Sequence, residues 1–120
     1  MEKFNLRPIK NEMKFEDLAK IDIRIGEIRE VLDIPKSNNL MKLIVDFGDH
    51  TRMIIAGIKQ ERENPGEIQG KQALFVVNLP VKKIFGEKSE GMLFDIGYEN
   101  KIIPVLAVPE KHVPNGSSAG

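Results

Sequence analysis

The chain has 120 residues, enough for one domain with a buried core and too few for two. At 41% hydrophobic and 30% charged it has a globular composition, which excludes a disordered chain, and no run approaches the ~18 apolar residues of a membrane span. Lys plus Arg and Asp plus Glu stand at 18 each, so no bulk positive charge is available to coat nucleic acid, and the absence of cysteine excludes disulfides, thiolate metal sites and a cysteine nucleophile.

Residues 1–13 read as a loosely packed N-terminal arm without an apolar signal segment, which makes cytoplasmic residence the expectation. Residues 15–19 suit one helical turn. From Ile21 the apolar pattern has period two: Ile21, Ile23 and Ile25 alternate with Asp22 and Arg24, and past Gly26 the phase slips to Ile28. A glycine at a phase slip predicts a β-bulge, the device that bends a long first strand around a small barrel. Leu43, Val45 and Phe47 form the inner face of a second strand, with Lys42, Ile44 and Asp46 on the other, and residues 52–56 return as a third.

Between Gly57 and Gly70 the β pattern lapses, and residues 58–63 have helical propensity until Pro65-Gly66 stops it. Residues 72–78 are a buried-strand-like run, and further β segments follow at 91–96 and 102–108. The expected fold is therefore all-β, a five-stranded Greek-key OB barrel with a short helix between strands 3 and 4, occupying residues 14–116. Residues 117–120 are expected to fray.

The stretch of unusual chemistry is residues 78–92, which combines Asn78, Lys82, Lys83, Lys88, Ser89, Glu90 and Met92 with two glycines. Ammonium groups neutralise phosphates, Asn78 and Glu90 can read base edges, and Met92 offers a polarizable surface for a base. The plainer reading is a charged hairpin with Met92 in the core. Arg24 and Lys42 lie on the polar faces of the first two strands, where neighbouring strands could align them on a phosphate. Arg52, Lys59 and Arg62 are taken as solvent-facing. His50 and His112 have no second ligand at metal spacing, and Asp46 and Asp95 have nothing around them that would make an acid/base pair. No nucleophile elbow, P-loop or dinucleotide fingerprint is present, so neither an enzyme nor a cofactor is expected.

Residues 20–26 (KIDIRIG), 43–48 (LIVDFG), Ala56-Gly57-Ile58, Gly70-Lys71, Asn78-Leu79 and Ser89-Glu90-Gly91-Met92, in that order, resemble the tRNA-binding domain family over about residues 15–116. That family includes the C-terminal domain of bacterial methionyl-tRNA synthetase, its separate β-subunit form, tRNA-binding cofactors of multisynthetase complexes, and the CsaA export chaperone. The resemblance implies an OB fold that docks on tRNA by shape, with Arg24, Lys42, Asn78, Lys82, Lys83, Ser89, Glu90 and Met92 as the RNA-binding set. Glu90 can instead hold the loop through backbone amides, and Met92 can pack beneath it. Where family members read Asn-Leu-x-Pro-Arg-Lys, this chain has Asn78-Leu79-Pro80-Val81-Lys82-Lys83, which removes the bidentate fork of an arginine at position 82.

The resemblance further implies a homodimer built from the segments flanking the barrel. It implies an accessory role beside an aminoacyl-tRNA synthetase, methionyl in the first place. The alternative is a CsaA-like chaperone that binds unfolded polypeptide. An oligosaccharide-binding module is disfavoured by 6% aromatic content without tryptophan.

Overall fold

Strand β1 (Ile23–Asp33) is the axis around which the chain winds, entered through the expected single turn α1 (Phe15–Leu18). The computed structural model describes residues 3–120, so Met1 and Glu2 of the expected arm lie outside the described residues. Strands β2 (Met41–Asp46), β3 (Thr51–Ala56) and β4 (Gln72–Val76) build on β1, and a hairpin of β5 (Lys82–Ile84) and β6 (Glu87–Ser89) leads to the two-residue β7 (Met92–Leu93). The order is β3-β2-β1-β4-β7, with every pair antiparallel. Both β6 and β7 return against β3, curling the sheet into the small barrel that the strand pattern predicts.

Alternation fills the interior. Leu43 and Val45 from β2, Ile54 and Ala56 from β3, and Ala73 and Phe75 from β4 meet Ile28, Phe47 and Ile58 in one core. Phe75 stands edge-on to Phe47 with ring centroids 5.6 Å apart, a geometry worth about 1 kcal/mol beyond its buried area.

The phase slip in β1 has a different cause from the one expected. The bulge against β2 falls between Ile28 and Glu30, three residues past Gly26. Gly26 is glycine because a Cβ there would lie 2.4 Å from Val45 Cγ1 and 2.8 Å from the Phe47 ring. Ile25 is buried but lies outside the main core. β2 pairs with β1 only from Glu27 onward, leaving the backbone of residues 23–26 open on that side. The tail expected to fray fills the gap. Gly116 N–H donates to Ile25 O at 2.7 Å, Ile25 N–H donates to Ser117 O at 2.8 Å, and β8 (Ser118–Ala119) pairs with Ile23 and Arg24.

Two other elements differ from expectation. Residues 58–63 form turns rather than a helix, and Pro65 starts a 3-10 helix (Pro65–Ile68) instead of ending one. Asn64 caps it by accepting from Gly66 N–H, and proline at the first position has its φ already set. Residues 102–108 make a single bridge, Ile96 to Val105, because Pro104 cannot donate to a ladder.

Candidate nucleic-acid interface

At residues 89–91 the barrel closes against β3 through side chains instead of a plain ladder. Glu90 N–H donates to Met53 O at 2.8 Å while Glu90 Oε1 accepts from Met53 N–H at 3.0 Å, a ring that imitates a β-bridge. Ser89, 3% exposed, accepts Ile55 N–H at 3.0 Å and donates to Gly91 O at 3.1 Å. Asn78 is equally committed: its Oδ1 accepts from Asp22 N–H at 2.9 Å and its Nδ2 donates to Lys20 O at 2.5 Å, tying the end of β4 to the entry of β1. Three members of the sequence-derived set thus spend their polar atoms on the fold.

Arg24 and Lys42 do not converge. Arg24 lies opposite Phe75 and Lys42 opposite Leu32, eight residues along β1, or ~26 Å at the rise of a strand. The supposed polar face of β1 is its inner face at the barrel mouth, since Arg24 shares parity with Gly26 and Ile28. There Arg24 grips Asp22 through Nε at 3.0 Å and Nη2 at 3.1 Å, which holds the Asp22 carboxyl below its usual range. Lys42 reaches Glu87 of the hairpin at 2.7 Å and anchors it to β2.

Arg52 is not solvent-facing. Its Nη1 donates to Val77 O at 2.7 Å and Glu90 O at 3.0 Å, and its guanidinium lies 5.9 Å over the Phe47 ring. Its Nε donates to His50 Nε2 at 3.0 Å, which places the imidazole proton on Nδ1, 2.6 Å from Asp49 Oδ1. The signal was available: Arg52 shares strand parity with Ile54 and Ala56, both inward. Lys59 is likewise engaged, with Nζ at 2.8 Å from Ile34 O, 2.6 Å from Ser37 O and 2.6 Å from Asp33 Oδ1, pinning the loop between β1 and β2.

Of the cations in the sequence-derived set, the two that remain free are on the hairpin, Lys82 and Lys83. Among the described residues Lys82, Lys83 and Lys88 have no carboxylate within ion-pair distance. The register sets Lys83 directly opposite Lys88 on one face and Ile84 opposite Glu87 on the other. Lys82, opposite the buried Ser89, is exposed at the root. Like charges in direct register repel, and an anion bound between them removes the cost. Lys88 was missing from the sequence-derived set because only the register reveals its partner. Met92 is 45% exposed, so it is no core residue.

Arg62 too is withdrawn from solvent, at 13% side-chain exposure, and its Nη1 has no hydrogen-bond partner. Glu61 and Asp95 line one pocket of about 210 Å³ beside it. Burial, and then the charge of Asp95, push the Glu61 carboxyl up to about 7. Between the ordinary value and 7 the folded protein holds a proton that the unfolded chain has released, so stability falls as pH rises through that window. Glu61→Gln is therefore expected to gain on the order of 1 kcal/mol over the parent at pH 8 in urea titrations, and almost nothing at pH 4.5. An equal gain at both pH values would assign the effect to packing. Asp46, meanwhile, is held by Arg29 at 2.6 Å, far from any role beside Asp95.

A curled antiparallel half-barrel of five strands with a cationic hairpin beside it defines a binding module of the OB type. The chain belongs to the family described as "Putative tRNA binding domain", whose model matches residues 23–118. It is 42% identical over 103 residues to the methionine-tRNA ligase of Methanococcus aeolicus, an alignment covering 86% of this chain and 15% of that enzyme. It spans, that is, about a sixth of the length of the curated relatives it matches. Among solved structures it is similar to a MetRS related protein from Pyrococcus horikoshii (32% identity, TM-score 0.83, covering 92% of this chain and 100% of that one). It is also similar to the chaperone CsaA from Bacillus anthracis (30% identity, TM-score 0.78, covering 92% and 100%).

Proposed function

We propose that the chain binds tRNA by its shape, through phosphates held on the β5–β6 hairpin, and acts as an accessory to an aminoacyl-tRNA synthetase, methionyl in the first place. The observation that carries this reading is the Lys83–Lys88 pair, two unpartnered ammonium groups in direct register on an exposed ribbon, with Lys82 free on its other face. A neutral protein with such a patch binds polyanions locally. The similarity to methionine-tRNA ligases supports the choice of partner. Anisotropy titration of labelled deacylated tRNA at two salt concentrations tests it. Saturable binding that weakens with salt is the expected result, and no binding at low salt would overturn the reading.

The binding form we propose is a homodimer. Phe4, Leu6 and Ile9 of the arm and Phe15 of α1 are 55–100% exposed, and Tyr98 and Ile103 of the C-terminal segment are 80% and 69% exposed. The arm is held to the turn at residues 98–100 by Asn5 N–H donating to Asn100 O and Asn100 Nδ2 donating to Asn5 O. The radius of gyration, 14.8 Å, exceeds the ~13.6 Å of a compact domain of this length. Apolar surface presented this way calls for cover. Ile103→Glu is expected to convert a dimer to a monomer in sedimentation equilibrium and to weaken tRNA binding by loss of avidity. A monomeric parent protein would refute the arrangement.

A peptide-binding module would expose the same apolar surface, and the CsaA similarity favours that as the second reading. Unfolded peptide bound saturably, with no binding of tRNA, would replace the first reading by this one.

A further inference from the structure

The tip of the hairpin is built at a cost that the fold does not need. Phe85 and Gly86, the two residues joining β5 to β6, have φ of 53° and 81°. This is the left-handed pair of a tight two-residue turn, where asparagine followed by glycine is the comfortable choice. A bulky aromatic with positive φ is an outlier, costing strain that the surrounding structure must bear. Packing does not repay it. Phe85 is 55% exposed, and it is absent from the core cluster.

The position of the ring gives the strain a use. Phe85 joins the two strands that carry Lys82, Lys83 and Lys88, all free of carboxylate partners, while Glu87 is turned to Lys42. An exposed aromatic at the tip of a ribbon that carries free ammonium groups is a pairing that receives a nucleotide: phosphate on the lysines, base on the ring. Inside a duplex both faces of every base are covered by stacking, so the occupant is an unstacked nucleobase.

Resting on the tRNA reading above, we propose that Phe85 is a stacking platform for one unpaired, unstacked nucleobase of the bound RNA, held at the hairpin tip in a conformation that sacrifices stability for binding.

Two measurements on Phe85→Asn and Phe85→Trp test this. Asparagine suits the left-handed turn, so Phe85→Asn should raise the thermal midpoint. The same change should weaken tRNA binding about 10-fold at one salt concentration. The slope of affinity against salt should not change, because no phosphate contact is lost. Phe85→Trp should bind within about 3-fold of the parent, and its indole, unique in a chain without tryptophan, should be quenched as tRNA saturates. On a long RNA duplex, whose free base faces are confined to its two ends, the parent and Phe85→Asn should bind alike.

Equal tRNA affinity for the parent and Phe85→Asn would overturn the stacking role and leave the tRNA reading standing. So would an equal loss on tRNA and duplex, which would place Phe85 on the backbone. A parent protein that binds no tRNA would remove the reading and this proposal together.

Discussion

Replacing Lys82, Lys83 and Lys88 together by alanine is expected to weaken tRNA binding roughly 100-fold at 150 mM salt and to leave the fold intact. Each phosphate contact contributes about 0.7 to 0.9 to the slope of log affinity against log salt, so three lost contacts flatten it by ~2 to 3. Carried from 1 M, where the counterion contribution vanishes, that slope difference amounts to about two decades at 150 mM. Stability should move little or rise slightly, because the variant loses the Lys83–Lys88 repulsion and no hydrogen bond. Lys42→Ala is the informative contrast. Its ammonium is already 2.7 Å from Glu87, so its removal frees a carboxylate next to the hairpin tip without removing a free cation. A triple variant that kept its salt slope would place the phosphate contacts elsewhere, with the barrel-mouth Arg24 next to be examined.

The outline of the barrel was legible in the sequence because period-two alternation survives wherever a strand has one buried face, as in Met41–Asp46 and Thr51–Ala56. Legibility failed where a tertiary partner decides. Nothing local says that residues 116–119 will fill the open side of β1, or that Lys59 will serve three oxygens of another loop. Within the candidate site, chemistry was legible and direction was not. Asn78, Ser89 and Glu90 look like hydrogen-bonding groups for RNA because they are hydrogen-bonding groups, and only the curl of the sheet turns Ser89 and Glu90 onto the backbone of β3. Arg52 shares parity with the inward Ile54, and an arginine at an inward position marks a buried acceptor set rather than a solvent face.

The Ser89→Ala variant should have the opposite signature to the lysine triple: a weakened fold and unchanged RNA affinity in the folded protein. Ser89 Oγ is the acceptor for Ile55 N–H and the donor to Gly91 O, at a site 3% exposed. Without it a buried amide has no partner, and water cannot replace the hydroxyl without opening the seam between β3 and β6. The loss is roughly 2 kcal/mol, which for a domain of this size lowers the thermal midpoint by ~8 °C. Scanning calorimetry measures the first half of the expectation, and tRNA titration well below the midpoint measures the second. An unshifted midpoint with weakened tRNA binding would move Ser89 from the seam to the RNA. The expected outcome assigns the Ser89-Glu90-Gly91 run to the closure of the barrel, which is what holds the hairpin strands at the rim where their lysines can meet phosphate.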